Sequence, residues 1–514
     1  MLLLRSRGVR AATAAGAKTA RAASALVTNT HAQTRSLSIL GTIFGIGEFE
    51  GARNQSLRAT TSKLQAYELA LLEYVGMNSY PKHMLRKALE DDEQFVMGHV
   101  LVGASQCLSP LVHQDSLDAV TALTTAAEIL QSKGNGDLLA LRCCFDLYLV
   151  LGDYKNILST VTRRLPSWSP NDPGYSHLLS MQAYGLQVDG KLDAAENLVE
   201  KAISMNGNDR WAFHTMLHIL EARGNANHGA SYALQYRPPN FGVMTFQDMF
   251  DNGGPLERHM YFQWALYLLD LGRYDRITKF LEVNIFQQRV NKAHSFQTLR
   301  DATQLFWRLH FAGQETSELR QQLHEAWEAI SEDEREQRVV FSPIARILRH
   351  SILASNGEDD LSVIQRAPES AIDLTQLAKT LGVAPIQFSF AQSSDEFDAV
   401  FAGVCQGFTA YFQGEYEEAT KLLLPVRGNL RVLGGTAVEH ELVDLLLVEC
   451  ASRCEDLTLA RLLLNERLSL RSQSAQVWSA YSRIFESIGD SSALRDAQNM
   501  SYVLGLGQGG NQTN

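Results

Sequence analysis

The sequence predicts an all-α protein, a superhelix of helix hairpins, and a recurring turn phrase is the main reason. In this phrase glycine is followed by any residue, Tyr or Leu, two further residues, and then Ala or Ile. It begins at Gly152, Gly190, Gly272 and Gly414, with a weaker copy at Gly224. The step from Gly152 to Gly190 is 38 residues, and the step from Gly190 to Gly224 is 34. Each phrase lies between two stretches whose apolar residues recur with the period of a helix. The turn and its spacing together predict pairs of helices that stack on one another.

A period near 34 residues with this turn is typical of tetratricopeptide helix hairpins, which stack into a superhelix. We predict such repeats over residues 62–355 and a second helical block over 371–505, separated by a polar stretch at 356–360. Residues 237–255, which contain Pro, Gly and Asn, fit an insertion between two repeats, and 506–514 fit a disordered tail. One continuous superhelix and two packed lobes both agree with this pattern.

The first 47 residues differ from the rest of the chain in composition. They contain no Asp or Glu, and six basic residues lie among many Ala, Ser and Thr residues. An Arg-rich segment without acidic residues is typical of a mitochondrial transit peptide. We therefore predict that residues 1–47 are a disordered import leader and that the protein works in the mitochondrial matrix. The alternative is a basic tail on a cytoplasmic protein.

Charge and cysteine spacing argue against several other functions. Without the leader, 40 basic residues face 57 acidic ones, a net charge of −17, which is unfavourable for binding nucleic acid. No apolar run approaches the roughly 18 residues of a membrane-spanning helix. The six cysteines lack the spacing of a zinc finger or a disulfide framework, so we interpret them as reduced thiols. Nucleotide-binding loops and nucleophile elbows are absent from the sequence.

A polar stripe in residues 211–221 is the group of side chains best suited to binding or chemistry. Each residue of a helix advances by about 100°, so His214, His218 and Glu221 fall within about 60° of one another. Apolar residues such as Phe213 point the other way. The first helix of a tetratricopeptide hairpin lines the concave surface of the superhelix. We therefore predict that the stripe faces a groove.

Neighbouring repeats add polar and aromatic side chains at matching heights. His259 begins a similar stripe on the next first helix, and Tyr184 and Asp146 lie at equivalent distances from their turn glycines. Trp264 either contacts a ligand or fills the space between hairpins, as large aromatic residues usually do. The predicted binding groove consists of Asp146, Tyr184, His214, His218, Glu221, His259 and Trp264.

Two functions fit this groove. Two His residues four apart on a helix can bind one metal ion such as Zn²⁺, with Glu221 as a third ligand and His259 as a fourth. A metal-dependent hydrolase of the thermolysin type has Glu directly after the first His, and Thr215 occupies that position. We therefore favour a non-catalytic scaffold without a cofactor that binds a protein, a peptide or a small molecule. A metal site or hydrolase built on His214, His218 and Glu221 is the alternative.

Several longer segments resemble the tetratricopeptide repeat protein 38 family. They are residues 95–99, 168–170, 211–221, 259–267, 422–427, 433–435 and 460–467, in the family's order. The resemblance extends over roughly residues 65–480 and implies an all-α repeat protein with no assigned reaction. The positions that match the family's pattern are Asp146, His214, His218, Glu221, His259 and Trp264. Phe145, Gln187 and Gln263 stand where relatives tend to have His, an acidic residue and His. These differences remove potential ligands and argue against metal chemistry.

Overall fold

The structure is a computed structural model that describes most of the chain after the predicted leader. It covers residues 46–50, 56–78, 81–90, 97–98, 101–102, 105, 138–151, 154–235, 256–281, 296–337, 343–357, 395–433, 435–454 and 456–506. The leader up to residue 45, the predicted insertion at 237–255 and the tail from residue 507 lie outside these ranges. Residues 358–394 also lie outside them, so the predicted division between two helical blocks stays a prediction.

Helices make up nearly all of the described part, which confirms the all-α prediction. In chain order they are α1 (Thr61–Val75), α2 (Pro81–Glu90), α3 (Leu138–Leu151), α4 (Tyr154–Arg164), α5 (Tyr175–Val188), α6 (Leu192–Met205), α7 (Arg210–Ala222), α8 (Ala226–Gln235), α9 (Glu257–Asp270), α10 (Tyr274–Phe280), α11 (Phe296–Phe311), α12 (Ser317–Gln337), α13 (Pro343–Ser355), α14 (Asp395–Phe412), α15 (Tyr416–Leu423), α16 (Ala437–Arg453), α17 (Leu457–Leu470), α18 (Ala475–Ile488) and α19 (Ser491–Leu506). None of these helices is both long and apolar enough to cross a lipid bilayer.

Two short strands precede the first helix. β1 (Ile46–Glu50) pairs with β2 (Ser56–Thr60) in an antiparallel register that sets Ile46 opposite Thr60. The sequence analysis does not predict this pair, and it places the end of the disordered leader at residue 47, inside β1. β1 therefore overlaps the predicted leader at residues 46 and 47.

Consecutive helices pack as hairpins, and the first helices of successive hairpins pack on one another. α5 packs on α6, α7 on α8, and α9 on α10, while α7 lies between α5 and α9. The series continues from α9 to α11 and from α11 to α16. This order of contacts is that of a helical-hairpin solenoid, in which each repeat contacts its neighbours.

One backbone turn recurs between the helices of these hairpins. The N–H of Gly190 donates to the Gln187 carbonyl at 3.0 Å, and the next N–H donates to the Leu186 carbonyl at 2.9 Å. This pair of bonds is the Schellman motif, in which the glycine adopts a left-handed conformation. The same bonds and a positive φ occur at Gly190, Gly224, Gly272, Gly313, Gly414 and Gly489. In the four described copies of the recurring phrase the glycine therefore ends the first helix, while Gly152 lies outside the described residues.

Alanine at Gly224 is expected to destabilise the protein more than alanine at Gly190. Both glycines have φ between 66° and 80°, where a Cβ costs about 1 kcal/mol. A Cβ at Gly190 meets no atom within 4 Å, whereas one at Gly224 comes within 3.1 Å of Arg471 Cα and of the Leu470 carbonyl. We therefore expect a further loss of about 1–3 kcal/mol at Gly224. Urea unfolding of both variants tests this, and equal losses would contradict the close approach at Gly224.

The hydrophobic core consists of two clusters that meet at α9. The first cluster extends from Leu64 to Leu271 and includes Tyr267 of α9. The second extends from Tyr261 to Ala497 and includes Trp264 of the same helix. Residues of α9 therefore belong to both clusters, and this helix joins the earlier hairpins to the later ones.

The C-terminal helices α17 and α18 contact helices from the middle of the chain through a network of buried charges. Arg471 contacts the carboxylates of Glu221, Asp270 and Glu441, the last two at 2.9 and 3.0 Å. Ser474 donates to the other oxygen of Asp270 at 2.7 Å. The complete ion-pair network consists of Glu221, Asp270, Arg308, Glu441, Arg467 and Arg471. It fixes α17 and α18 against α7 and α9.

Candidate functional site

Helix α7 is buried on all sides, and its start is fixed by Asp209. One oxygen of Asp209 accepts a hydrogen bond from the N–H of Ala212 at 3.0 Å, which satisfies a free donor of the first turn. The other oxygen lies 2.8 Å from Nδ1 of His177 on α5. Residues 210–221 are all buried. The polar stripe, which the sequence analysis predicts to face a groove, is therefore buried, because neighbouring helices cover both faces of α7.

Three histidine side chains meet between α7 and α9. Nε2 of His218 lies 3.0 Å from Nε2 of His214, one turn away on α7. The ring of His259 on α9 lies 5.1 Å from the ring of His214 and 6.2 Å from the ring of His218. One nitrogen from each residue can be chosen so that all three lie within 4.8 Å of one another. We call these residues the tri-histidine cluster.

A carboxylate on α11 orients His259 in this cluster. Nδ1 of His259 lies 2.9 Å from Oδ2 of Asp301, and both side chains are largely buried. This contact engages Nδ1 and leaves Nε2 of His259 for other partners. Gln263, one turn along α9, is fully buried and places its amide nitrogen 3.4 Å from Nε2 of His218. Helices α7, α9 and α11 therefore contribute polar groups to one buried cluster.

Burial keeps the two histidines of α7 neutral. Removal from water lowers the pKa of His218 to about 3, with a further contribution from His259. Burial also lowers the pKa of His214 well below its usual range, and the nearby His218, His259 and Arg142 act in the same direction. Both imidazoles are therefore uncharged at neutral pH, which is the form that accepts hydrogen bonds or binds a metal.

These neutral histidines predict a loss of stability in mild acid. Because the pKa of His218 is about 3 in the folded state and about 6.5 in an unfolded chain, only the unfolded chain takes up this proton between those values. The free energy of unfolding should therefore fall as the pH drops below 6.5, by about 2 kcal/mol at pH 5 from this residue. Urea unfolding of chelator-treated protein at pH 7 and pH 5 measures the loss.

The His218→Gln variant is the control for this prediction. Burial raises the pKa of Asp146 and of Asp301, and these groups shift stability with pH in the opposite direction. They are present in both proteins, so the difference between wild type and variant isolates the histidine. Identical pH dependence in the two proteins would show that His218 is not buried as a neutral group.

An aromatic wall, formed by Tyr184 and Trp211, separates the tri-histidine cluster from the buried pair of Arg142 and Asp146. Tyr184 stacks on His214 with ring centres 6.1 Å apart, and Trp211 lies 5.1 Å from the same ring. The guanidinium of Arg142 lies 4.8 Å above the Trp211 ring, a cation–π contact. Tyr184 therefore contacts the cluster as expected for a residue of the same site.

Asp146 lies behind this wall and does not reach the histidines. Its carboxylate accepts hydrogen bonds from Tyr74 at 2.7 Å and from Nε of Arg142 at 3.0 Å. All three side chains are buried, and Arg142 also donates to the Val75 carbonyl. The geometry assigns Asp146 to an internal ion pair that joins α1 and α3.

Glu221 points away from the histidines, contrary to the predicted stripe. It pairs with Arg471 in the ion-pair network rather than accepting a hydrogen bond from His218. The predicted metal set of His214, His218 and Glu221 therefore does not form, because the long-range pair with Arg471 holds the carboxylate elsewhere. His259, which the sequence analysis gave as a fourth ligand, lies next to His214 and His218.

The groove residues are interior side chains in the structure. Trp264 is 9% exposed and packs in the second core cluster, and Asp146, Tyr184, His214, His218 and Glu221 are 6% exposed or less. Only His259 keeps a larger exposed share, 14% of its side chain. These residues thus line no open surface, and a partner would reach them only if the helices separated. Their role in binding stays a prediction.

Comparisons with known proteins add little to the fold. No protein-family model matches the chain. The chain is similar to a solved structure of the P58(IPK) TPR domain at 13% sequence identity, over 77% of this chain and 94% of that chain. The TM-score of this pair is 0.19. The assignment as a helical-hairpin solenoid therefore rests on the helices, turns and contacts of the chain itself.

The sequence analysis overlooks the partners of two predicted site residues, His259 and Asp146. Asp301 orients His259, yet the two residues are 42 positions apart and lie on helices whose pairing the turn phrase does not reveal. Arg142 neutralises Asp146 from one turn away on α3. A basic residue four positions before an acidic one on a helix is a recognisable signal for such a pair.

Proposed function

We propose that this chain is a non-catalytic scaffold of the tetratricopeptide type that binds a protein partner in the mitochondrial matrix. The helical-hairpin solenoid supports the scaffold, because such arrays present extended binding surfaces. The resemblance to the tetratricopeptide repeat protein 38 family agrees with a repeat protein without an assigned reaction. The exposed apolar surface at the C-terminal end of the array is the observation that carries the proposal.

The last helix, α19, exposes apolar side chains where a repeat array normally ends in a polar face. Tyr502 and Val503 are 67% and 60% exposed, and Met500 on the preceding turn is 37% exposed. We call these three residues the C-terminal patch. Adjacent exposed apolar residues mark interaction surfaces, and Tyr is common among the residues that dominate binding energy. A protein partner that buries this patch is the best-supported ligand.

Recovery of partners from isolated mitochondria by the full chain tests the proposal. Tyr502→Ser with Val503→Ser alters the patch, and Met205→Ser changes an exposed apolar residue on α6 as a matched control. We expect one protein to accompany wild type and the control in constant ratio and to be lost with the double variant, at equal melting temperatures. An unchanged set of proteins in all three would contradict the proposal. A wild-type dimer that the double variant converts to monomer would assign the patch to self-association.

Fusion of residues 1–47 to a fluorescent reporter tests the mitochondrial location. The Arg-rich, acid-free composition of this segment supports import. We expect the reporter to enter mitochondria and to remain in the cytoplasm when the five arginines are replaced by glutamine. A cytoplasmic reporter with the native segment would favour the alternative of a basic tail.

The metal-dependent hydrolase finds less support in the site. The position where a thermolysin-type enzyme has its base is Thr215, whose hydroxyl donates to the Trp211 carbonyl at 2.8 Å. Asp301, the carboxylate next to the cluster, is engaged by Nδ1 of His259. Within the described part of the chain these groups bind other protein atoms, so the scaffold is the preferred function.

A further inference from the structure

We propose that His214, His218 and His259 bind one first-row transition-metal ion, with Zn²⁺ the foremost candidate. This site is independent of partner binding at the C-terminal patch. It differs from the metal set expected from the sequence, because Glu221 pairs with Arg471 and His259, expected as a fourth ligand, becomes the third. The ion would connect α7 to α9, the helix that joins the two core clusters.

The spacing of the three imidazoles suits a single ion. The selected nitrogens lie within 4.8 Å of one another, and the Nε2 atoms of His214 and His218 are 3.0 Å apart. Zinc binds imidazole nitrogen at about 2.0–2.1 Å, which separates tetrahedral ligands by about 3.4 Å. The selected nitrogens therefore exceed that spacing by at most about 1.4 Å, which small side-chain movements can remove.

The contact between His259 and Asp301 is the second observation. Histidines that bind metals usually donate their other ring N–H to a carboxylate, which fixes the tautomer and makes the ligand more basic. Nδ1 of His259 lies 2.9 Å from Asp301, so Nε2 carries the lone pair that faces the cluster. Asp301 therefore acts as a positioning residue for this ligand and adds negative charge behind it.

Two buried polar atoms beside the cluster have no hydrogen-bond partner among the described residues. They are Nδ1 of His214 and Oε1 of Gln263. A His214 ring that binds the ion through Nε2 carries its proton on Nδ1, so the ion gives no partner to that atom. An unpaired buried acceptor such as Oε1 of Gln263 is costly, and a cation next to it supplies the missing partner.

The ligand types select the class of metal. Imidazole nitrogen suits Zn²⁺, Cu²⁺, Fe²⁺ and Ni²⁺, whereas Mg²⁺ and Ca²⁺ require mainly oxygen ligands. Three histidines leave one coordination position of a tetrahedral ion for another group. The amide of Gln263, 3.4 Å from His218, is the nearest neutral side chain that could turn its oxygen toward that position.

Metal analysis and zinc titration of the full chain test the site. The untagged protein is analysed for bound metals, treated with a chelator, and titrated with Zn²⁺ in a calorimeter. His218→Gln and His259→Gln each remove one ligand. His177→Gln is the matched control, since His177 is equally buried and lies 2.8 Å from the carboxylate of Asp209, but belongs to no histidine cluster among the described residues.

We expect one equivalent of zinc in wild type and in His177→Gln, and at least 100-fold weaker binding in the two cluster variants. Asp301→Asn should weaken zinc binding about 10- to 100-fold while the absorption spectrum of bound Co²⁺ keeps its tetrahedral form. Folded wild-type protein that carries no metal and takes up no Zn²⁺ would overturn the proposal. Equal zinc binding by wild type and both cluster variants would also overturn it. If the variants fail to fold, the absorption spectrum of Co²⁺ added to wild type tests the site. Cobalt bound by histidine nitrogens has a different spectrum from hydrated cobalt, and a spectrum of hydrated cobalt would overturn the proposal.

Discussion

Replacement of Arg471 by alanine is expected to lower the free energy of unfolding by about 3–5 kcal/mol. Arg471 contacts Glu221, Asp270 and Glu441, and its removal leaves Glu221 and Asp270 buried without this cation. Burial alone would raise the pKa of Glu441, but the guanidinium groups of Arg467, Arg471 and Arg308 hold it well below its usual range. The loss should therefore be large, and urea unfolding measures it.

Arg223→Ala is the control for this experiment. Arg223 pairs with Asp193 and Glu196 at 2.6 and 2.5 Å, but Asp193 is almost fully exposed to solvent. An exposed pair of this kind contributes less than about 1 kcal/mol. If Arg471→Ala is no more destabilising than Arg223→Ala, the C-terminal helices do not dock on α7 and α9 as the structure shows.

Replacement of Trp211 by alanine is expected to cost about 3–5 kcal/mol, since it removes a large side chain that is only 1% exposed. The indole packs between Phe145 and Tyr184, with ring centres 5.5 and 5.0 Å away. It also separates Arg142 from His214. The cavity left by the indole would remove the barrier between the Arg142–Asp146 ion pair and the tri-histidine cluster. Thermal and urea unfolding measure the effect.

Trp478→Ala provides the comparison for this prediction. Trp478 on α18 is only partly buried and stacks loosely on Tyr481, with ring centres 5.9 Å apart. Its removal should lower the free energy of unfolding by less than half as much as the removal of Trp211, because less buried apolar surface is lost. Losses of similar size at both positions would show that Trp211 is not a core residue.

The turn phrase explains why the fold was predictable. A left-handed glycine and the two hydrogen bonds of its turn form within a few residues, so local sequence determines them. Gly313 and Gly489 form the same turn without the complete phrase, and the analysis misses them. The strand pair before α1 was equally hidden, because β1 does not alternate polar and apolar residues and β2 alternates over five residues only.

The site was predictable only in part. Helical spacing correctly brings His214 and His218 together, since both lie on α7 one turn apart. Their burial depends on helices far away in the sequence, and a polar stripe gives no sign of the residues that cover it. Glu221 shows this most clearly. Its position one turn from His218 favours a shared site, but its partner is Arg471, 250 residues later.

The distance between Glu221 and Arg471 along the chain has a consequence for the nascent protein. A ribosome adds about 5–20 residues per second, so about 12–50 seconds pass between the synthesis of the two residues. Each hairpin can form on its own turn soon after it emerges from the ribosome. However, Glu221 of α7 and Asp270 of α9 remain without their partner until Arg471 has been synthesised. Until residue 471 has been translated, the early hairpins form an incomplete intermediate with charged groups and apolar surface uncovered. A truncated chain that ends before α17 should consequently recruit molecular chaperones for longer than the full-length product.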